Sequence, residues 1–300
     1  MKPPFDPILI HITPTFGIHW YGVLIVTGVI MGALYAAWRA KRDGEDPEHI
    51  WNMLVLAVLL AIVGARLYHV FSEPEGGMVG WSYYRQHPIE ILYIWQGGLG
   101  IYGAVVGGAL GVAIYCWRAK LNPLQWIDYG APGLAIGQAI GRWGNFVNQE
   151  LYGPPTTLPW GLIIDPEHRI VPYNDLATYP PETLFHPTFL YESLWCLLSF
   201  VLLVLAAERL RGWLLHGDVL LGYLILYPLG RFFLEYLRPD AWMLGPIAAA
   251  QVFAIILVVA ATVTLIVRHV LVKRRPEPPA QQPEAAVDAG DETQSPSESV

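Results

Sequence analysis

Between positions 141 and 153 the chain reads Gly141-Arg142-Trp143-Gly144-Asn145-Phe146-Val147-Asn148-Gln149-Glu150-Leu151-Tyr152-Gly153. An arginine, two asparagines, a glutamine and a glutamate follow directly on an apolar segment of membrane-spanning character. Ionisable groups at that depth are costly to bury and are read first as a functional site. The glycines let backbone come close to a neighbour or a ligand. A guanidinium stays charged at every physiological pH and grips a phosphate through two parallel N–H bonds. Anion recognition is therefore the chemistry these residue types suggest.

The elements that carry these residues follow from composition. Hydrophobic residues make up 54% of the 300 and charged residues only 14%, with a mean hydropathy of +0.39. A soluble domain carries about 25% charged residues, so the chain falls in the membrane class. The net charge of −7 is concentrated at the C-terminus, where residues 276–300 hold six acids and no Lys or Arg. The body is close to neutral and offers no basis for nucleic-acid binding. Cys116 and Cys196 both lie in apolar segments. That argues against a disulfide framework or a metal cluster, and no cofactor is expected.

Seven apolar segments of spanning length stand near 17–38, 51–71, 91–117, 124–143, 187–207, 219–237 and 245–267. The fourth and sixth have polar residues at their ends. The expected fold is an all-α polytopic membrane protein of about seven transmembrane helices. The first segment runs into Arg39-Ala40-Lys41-Arg42 and is read as a retained span rather than a cleaved leader. Basic residues gather after segments 1, 3, 5 and 7 (Arg39, Lys41, Arg42; Arg118, Lys120; Arg209, Arg211; Arg268, Lys273, Arg274, Arg275). The opposite side has Lys2, Arg85 and Arg169 in its loops. The positive-inside rule then puts the N-terminus outside and the C-terminus in the cytoplasm. Residues 1–272 form the expected seven-span domain, with 144–186 as a small extracytoplasmic cap. Trp160 to Tyr173 within it reads as a short hairpin. The acidic tail 273–300 reads as disordered.

That orientation brings Arg66, Arg142, Arg231 and Arg238 to the outer ends of their segments. Tyr227, Arg231, Glu235 and Arg238 share one helical face by spacing. Tyr21, Gln96-Gly97-Gly98 with Tyr102, and His186 with Tyr191 and Glu192 approach the same level from other segments. Independent segments thus build an electropositive pocket open to lipid. Glu150, Glu192 and Glu235 are the carboxylates that would lock helices by pairing with these arginines, and four arginines exceed what they require. The glycines of the third segment, from Gly98 to Gly111, read as helix packing. Physics alone reaches an integral membrane protein that binds an anionic lipid from the outer leaflet. It does not supply a reaction, so an enzyme and an anionic-phospholipid transporter or binding protein both stay open.

The 141–153 run resembles the signature of the prolipoprotein diacylglyceryl transferases, Gly-Arg-x-Gly-Asn-Phe-x-Asn-x-Glu-x-x-Gly, at every fixed position. Ile18-His19-Trp20-Tyr21-Gly22, Gly64-Ala65-Arg66, the His186-Pro187 to Leu190-Tyr191-Glu192 stretch, and Gly230-Arg231-Phe232 with Glu235 and Arg238-Pro239 resemble further motifs of that family. The likeness covers about residues 15–270. It implies a bacterial cytoplasmic (inner) membrane enzyme with its site on the extracytoplasmic side. Such an enzyme moves the diacylglyceryl group of phosphatidylglycerol to the lipobox cysteine of preprolipoproteins and releases glycerol 1-phosphate. With the chemistry the resemblance implies, Arg142, Asn145, Glu150, Arg231 and Glu235 are the expected catalytic residues, and Tyr102 joins them on its own position rather than on a family match. The resemblance implies Tyr21, Arg66, Asn148, Gly153, His186, Tyr227 and Arg238 as substrate-binding. One departure stands out, because Tyr102 lies where many members carry a histidine proposed as the base. The proton acceptor stays open between Glu150 and a tyrosine-bound water, with His186 as the best remaining histidine.

Overall fold

The computed structural model describes residues 1–3, 6–13, 16–72, 80–239 and 241–273. Residues 274–300, with the acidic tail, lie outside the described residues. Seven long helices dominate: α1 (Trp20–Arg42), α2 (Glu48–Phe71), α3 (Ile101–Ala119), α4 (Pro123–Val147), α5 (Thr188–Arg209), α6 (Asp218–Leu234) and α7 (Ala249–Lys273). All but α4 are long and apolar enough to cross a membrane. At about 1.5 Å per residue, the 25 residues of α4 still reach about 37 Å, longer than a hydrocarbon core of about 30 Å. Its polar positions are tolerated because α4 packs against α1, α5 and α6.

Small residues set the closest pairings. A side-chain carbon on Gly28 would stand 2.8 Å from the Gly137 carbonyl oxygen, and one on Gly32 2.7 Å from that of Gly133. The backbones of α1 and α4 therefore touch, with no side chain between them. The same holds for α2 and α3, where Gly64 faces Gly103, Gly107 faces Leu60, and Gly111 lies against Ala57. Helix starts are fixed locally. The Asn122 side chain accepts from Leu124 N at 3.1 Å before Pro123, a favoured first helical residue. Asp128, on α4, accepts from Gly217 N (2.5 Å) and Leu220 N (2.9 Å), so one helix caps the start of α6.

The third segment departs from its sequence reading. Helix α3 begins at Ile101 rather than near 91, and Pro88–Leu92 and Ile94–Gln96 form two 3₁₀ turns before it. Gly97 (φ 90°) and Gly98 (φ 74°) lie in the left-handed region, where a helix cannot continue. Gly98 and Gly100 consequently sit outside the glycine face of α3.

Among the described residues three two-stranded antiparallel sheets decorate the bundle: β1 (Ile8–Thr13) with β2 (Phe16–His19), β3 (Leu162–Ile163) with β4 (Leu184–Phe185), and β5 (Met243–Leu244) with β6 (Ile247–Ala248). The cap is built on the second. Leu162 stands opposite Phe185, not opposite a residue of 169–173 as the sequence suggested. The cause is Arg169, which is buried and donates to the carbonyls of Ile164, Tyr179, Pro180 and Pro181 at 2.7–3.1 Å. Its guanidinium also lies 5.1 Å from the Phe185 ring. The 169–181 segment wraps around this side chain instead of pairing as a strand. Tyr152, Leu162, Ile164, Tyr173, Phe185 and Phe189 form the cap's small core.

Candidate active site

The 141–153 run is the last turn of α4 and the loop that leaves it. Asn148 N donates to Gly144 O (2.9 Å) and Glu150 N to Asn145 O (3.0 Å), closing the helix. Gln149 and Leu151 both take left-handed backbone, φ 55°, which costs a non-glycine residue on the order of 1 kcal/mol. Two contacts hold that strain. The Gln149 amide is clasped by Asp165, receiving from its backbone N and donating to Oδ2, each at 2.8 Å. The Thr188 hydroxyl donates to the Leu151 carbonyl. The Asp165 carboxyl is held below the usual range by the Gln149 hydrogen bond and by Lys2, 2.9 Å away.

Gly153 is needed for close approach. A side-chain carbon there would fall 2.8 Å from His186 Cβ and 3.0 Å from the Leu237 carbonyl oxygen, and its N donates to His186 O at 2.9 Å. His186 Nδ1 lies 3.2 Å from the Tyr191 hydroxyl, which also receives the Trp160 indole N–H at 3.1 Å. Tyr21, at the start of α1, fills the space beside Gly144.

Two arginines meet one carboxylate at the centre. Glu192, near the start of α5, turns Oε2 to Arg142 Nε (2.5 Å) and Oε1 to Arg231 Nη1 (2.6 Å). Arg231 Nη2 stands 2.7 Å from Glu235 Oε2, one turn further along. All four side chains are at most 21% exposed. Arg231 therefore has both terminal nitrogens on carboxylates. Arg142 meets Glu192 through Nε as an ion pair, and among the described residues its Nη1 and Nη2 make no hydrogen bond. Tyr227, Trp195, Cys196 and Leu234 close the walls around the pair, leaving a cavity of about 10 Å³. Gly230 is a glycine because the Trp195 ring occupies the place of its side chain.

On the outward flank, Glu150 is exposed and its Oε1 accepts from Asn145 Nδ2 (2.8 Å) and Asn148 Nδ2 (3.3 Å). Among the described residues its Oε2 carries no hydrogen bond. This is an arrangement of fixed cations beside an exposed carboxylate, suited to an anion that loses or gains charge during reaction. A larger cavity of about 300 Å³, lined by Tyr35, Arg39, Asp43, Asp128, Arg211 and His216, lies at the other ends of the same helices. Size does not make it the site.

The sequence-selected residues fall in separate groups. Arg142, Tyr227, Arg231 and Glu235 gather around Glu192. Asn145, Asn148 and Glu150 contact one another, Gly153 lies against His186, and Tyr21 lies beside Gly144. Arg238 lies just past a 3₁₀ turn (Glu235–Leu237), in extended backbone (φ −103°, ψ 110°), and so leaves the α6 face the spacing suggested. Arg66 and Tyr102 have other neighbours. Arg66 is buried and donates to the carbonyls of Glu90 (2.5 Å), Ile91 (2.8 Å), Gly97 (2.8 Å) and Gly98 (3.1 Å). It ties down the 3₁₀ segment much as Arg169 ties the cap. Tyr102 is 67% exposed and faces Tyr68, ring centroids 5.6 Å apart. The sequence reading left Glu192 among the helix-locking residues, although its place directly after Tyr191 in a motif already singled out was a usable signal.

Fold and geometry together define a polytopic membrane protein with two arginines paired on one carboxylate at one end of its bundle. The family model described as prolipoprotein diacylglyceryl transferase matches residues 7–267. A phosphatidylglycerol–prolipoprotein diacylglyceryl transferase of Chloroflexus aggregans is 42% identical over 295 residues, covering 92% of this chain and 93% of its own. Those of Trichormus variabilis (43% over 252 residues, 83% and 84% covered) and Limosilactobacillus reuteri (40% over 269 residues, 90% and 93% covered) are similar in the same way. The chain belongs to the prolipoprotein diacylglyceryl transferase family and is a diacylglyceryl transferase.

Proposed function

We propose that the chain works in a bacterial inner membrane, with its N-terminus and the Arg142–Arg231 site on the extracytoplasmic side. Its lipid substrate is phosphatidylglycerol and its acceptor is the lipobox cysteine of a preprolipoprotein. The thiol proton leaves, and sulfur attacks the diacylglyceryl carbon that bears the phosphate ester. The C–S bond forms as the C–O bond breaks, and glycerol 1-phosphate departs with the electron pair. The observation that carries this reading is the convergence of Arg142 and Arg231 on one carboxylate, with the terminal nitrogens of Arg142 left open. Those nitrogens fit the phosphate oxygens, and charge growing on the leaving group is what preorganised cations stabilise. Arg231, held by Glu192 and Glu235, adds a fixed positive charge behind them.

Glu150 is the proton acceptor in this scheme. It is exposed, Asn145 and Asn148 steady one oxygen, and the other is open. A thiol of ordinary pKa about 8.5 needs only modest help to ionise. Tyr102 bounds the lipid path through its hydroxyl, and Tyr21 bounds it at the α1 entrance. Gly153 lets the loop close, while His186, Tyr227, Asn148, Arg66 and Arg238 shape or support the binding surface. The test uses purified protein with phosphatidylglycerol and a lipobox peptide. Release of glycerol phosphate with a diacylglyceryl mass gain on the peptide is the expected result. Lipid bound by intact protein, with neither product formed, would favour lipid transport instead.

A further inference from the structure

We infer that Glu192 is the positioning residue of the arginine pair, gripping Arg142 by Nε so that its terminal nitrogens are aimed at the phosphate. The inference rests on the phosphate-binding reading above. Glu192 comes from α5, between Arg142 on α4 and Arg231 on α6, and gives each arginine one oxygen, at 2.5 and 2.6 Å. Two guanidiniums this close repel, and the single carboxylate between them is what lets them share one site. Its placement is firm. Ser193, the next residue, is buried and its hydroxyl donates to the Ala139 carbonyl of α4 at 2.8 Å. Glu192 itself is 11% exposed in its side chain.

The choice of nitrogen matters. A carboxylate on the terminal pair of Arg142 would compete with phosphate for the edge best shaped to bind it. A carboxylate on Nε leaves that edge open and restricts rotation of the guanidinium plane. A carboxamide cannot reproduce this. It has one acceptor oxygen, and its NH₂ would face the second guanidinium. An aspartate keeps the charge but is one methylene short of bridging both partners.

Glu192→Gln is expected to lower kcat/KM by ~30-fold, the range of a lost charge-assisted hydrogen bond, and Glu192→Asp to recover part of it. In an Arg142→Lys background, which has no Nε to hold, the same Glu192→Gln change is expected to cost clearly less, since only the Arg231 hydrogen bond is then lost and groups that act through one another are not additive. Binding of sn-glycerol 1-phosphate to the detergent-solubilised protein, followed by phosphorus NMR, is expected to weaken ~10-fold or more in Glu192→Gln. Equal losses in both backgrounds, or unchanged glycerol phosphate binding, would overturn the inference. Normal turnover by both Arg142→Ala and Arg231→Ala would overturn the phosphate reading itself. Inactive arginine variants beside a fully active Glu192→Gln would overturn this inference alone.

Discussion

Tyr21 occupies the space that a side-chain carbon on Gly144 would need, so the first residues of α1 are fitted to the last turn of α4. Tyr21 is 39% exposed and can move outward. Gly144→Ala should therefore leave the bundle folded, with destabilisation near the low end of the about 1–3 kcal/mol typical of overpacking. Transfer should fall by ~10-fold or more, because Tyr21 no longer bounds the site. Turnover measured beside thermal unfolding checks this. A large loss of stability with unchanged specific activity would contradict it.

Arg231 serves two carboxylates and Arg142 one. Both alanine variants should abolish transfer while inserting into the membrane. They should differ in stability. Arg231→Ala strands Glu235 and leaves Glu192 a single partner, and breaking a buried pair costs about 3–5 kcal/mol. Arg142→Ala leaves the Arg231–Glu192 and Arg231–Glu235 contacts intact and should cost clearly less. Melting in detergent gives the comparison, and equal destabilisation would count against it.

Arg66 spends its guanidinium on four carbonyls between Glu90 and Gly98. Lysine keeps the charge but lacks the planar fork that reaches several acceptors at once. Arg66→Lys should loosen the 88–98 segment, seen as faster proteolysis or hydrogen exchange there, and lower stability by about 1–3 kcal/mol. Loss of activity without any change in that segment would point to a direct contact with lipid.

Tyr102 is exposed and rests on Tyr68. Tyr102→Phe keeps the ring contact and removes the hydroxyl. The expected loss is under ~10-fold in kcat/KM, the scale of one neutral hydrogen bond. Complete inactivation would instead assign Tyr102 a proton-transfer role.

The cap's grip on the signature loop should weaken in acid. The folded-state pKa of Asp165 lies below its ordinary value because Gln149 and Lys2 favour the carboxylate. Its contribution is thus present above the unfolded value of about 3.9 and is lost as pH falls through the lower folded value. Hydrogen exchange around 149–165 should rise below about pH 4. In Asp165→Asn that acid-side dependence should be absent.

Much of this was legible in the residues. The helices are long, mostly apolar runs, and all seven segments appear as helices, six of them long and apolar enough to cross a membrane. The signature at 141–153 marked the helix end that brings Arg142 to Glu192 and the loop that follows it. What could not be read was where each guanidinium points. Arg66 and Arg142 both end apolar helices, yet one is consumed by carbonyls of a 3₁₀ segment 24–32 positions away in sequence and the other meets Glu192. Those partners are set by tertiary folding, and so is the wrapping of 169–181 around Arg169. The start of α3 was misplaced because residues 91–96 are as apolar as a helix. Only the left-handed glycines after them reveal the break.

The glycine contacts between α1 and α4 and between α2 and α3 also bear on how a bulky lipidated product departs. Backbones in direct contact have no side chains to repack, so neither pair can slide without collision. The α2–α3 pair meets the rest of the bundle only sparsely, along α1 and α4. Whatever widening the passage of a two-chain diacylglyceryl product demands is expected to fall on those two thin borders, with each glycine-welded pair swinging as one leaf. Cross-linking α2 to α1 should then slow turnover, whereas cross-linking α2 to α3 should not.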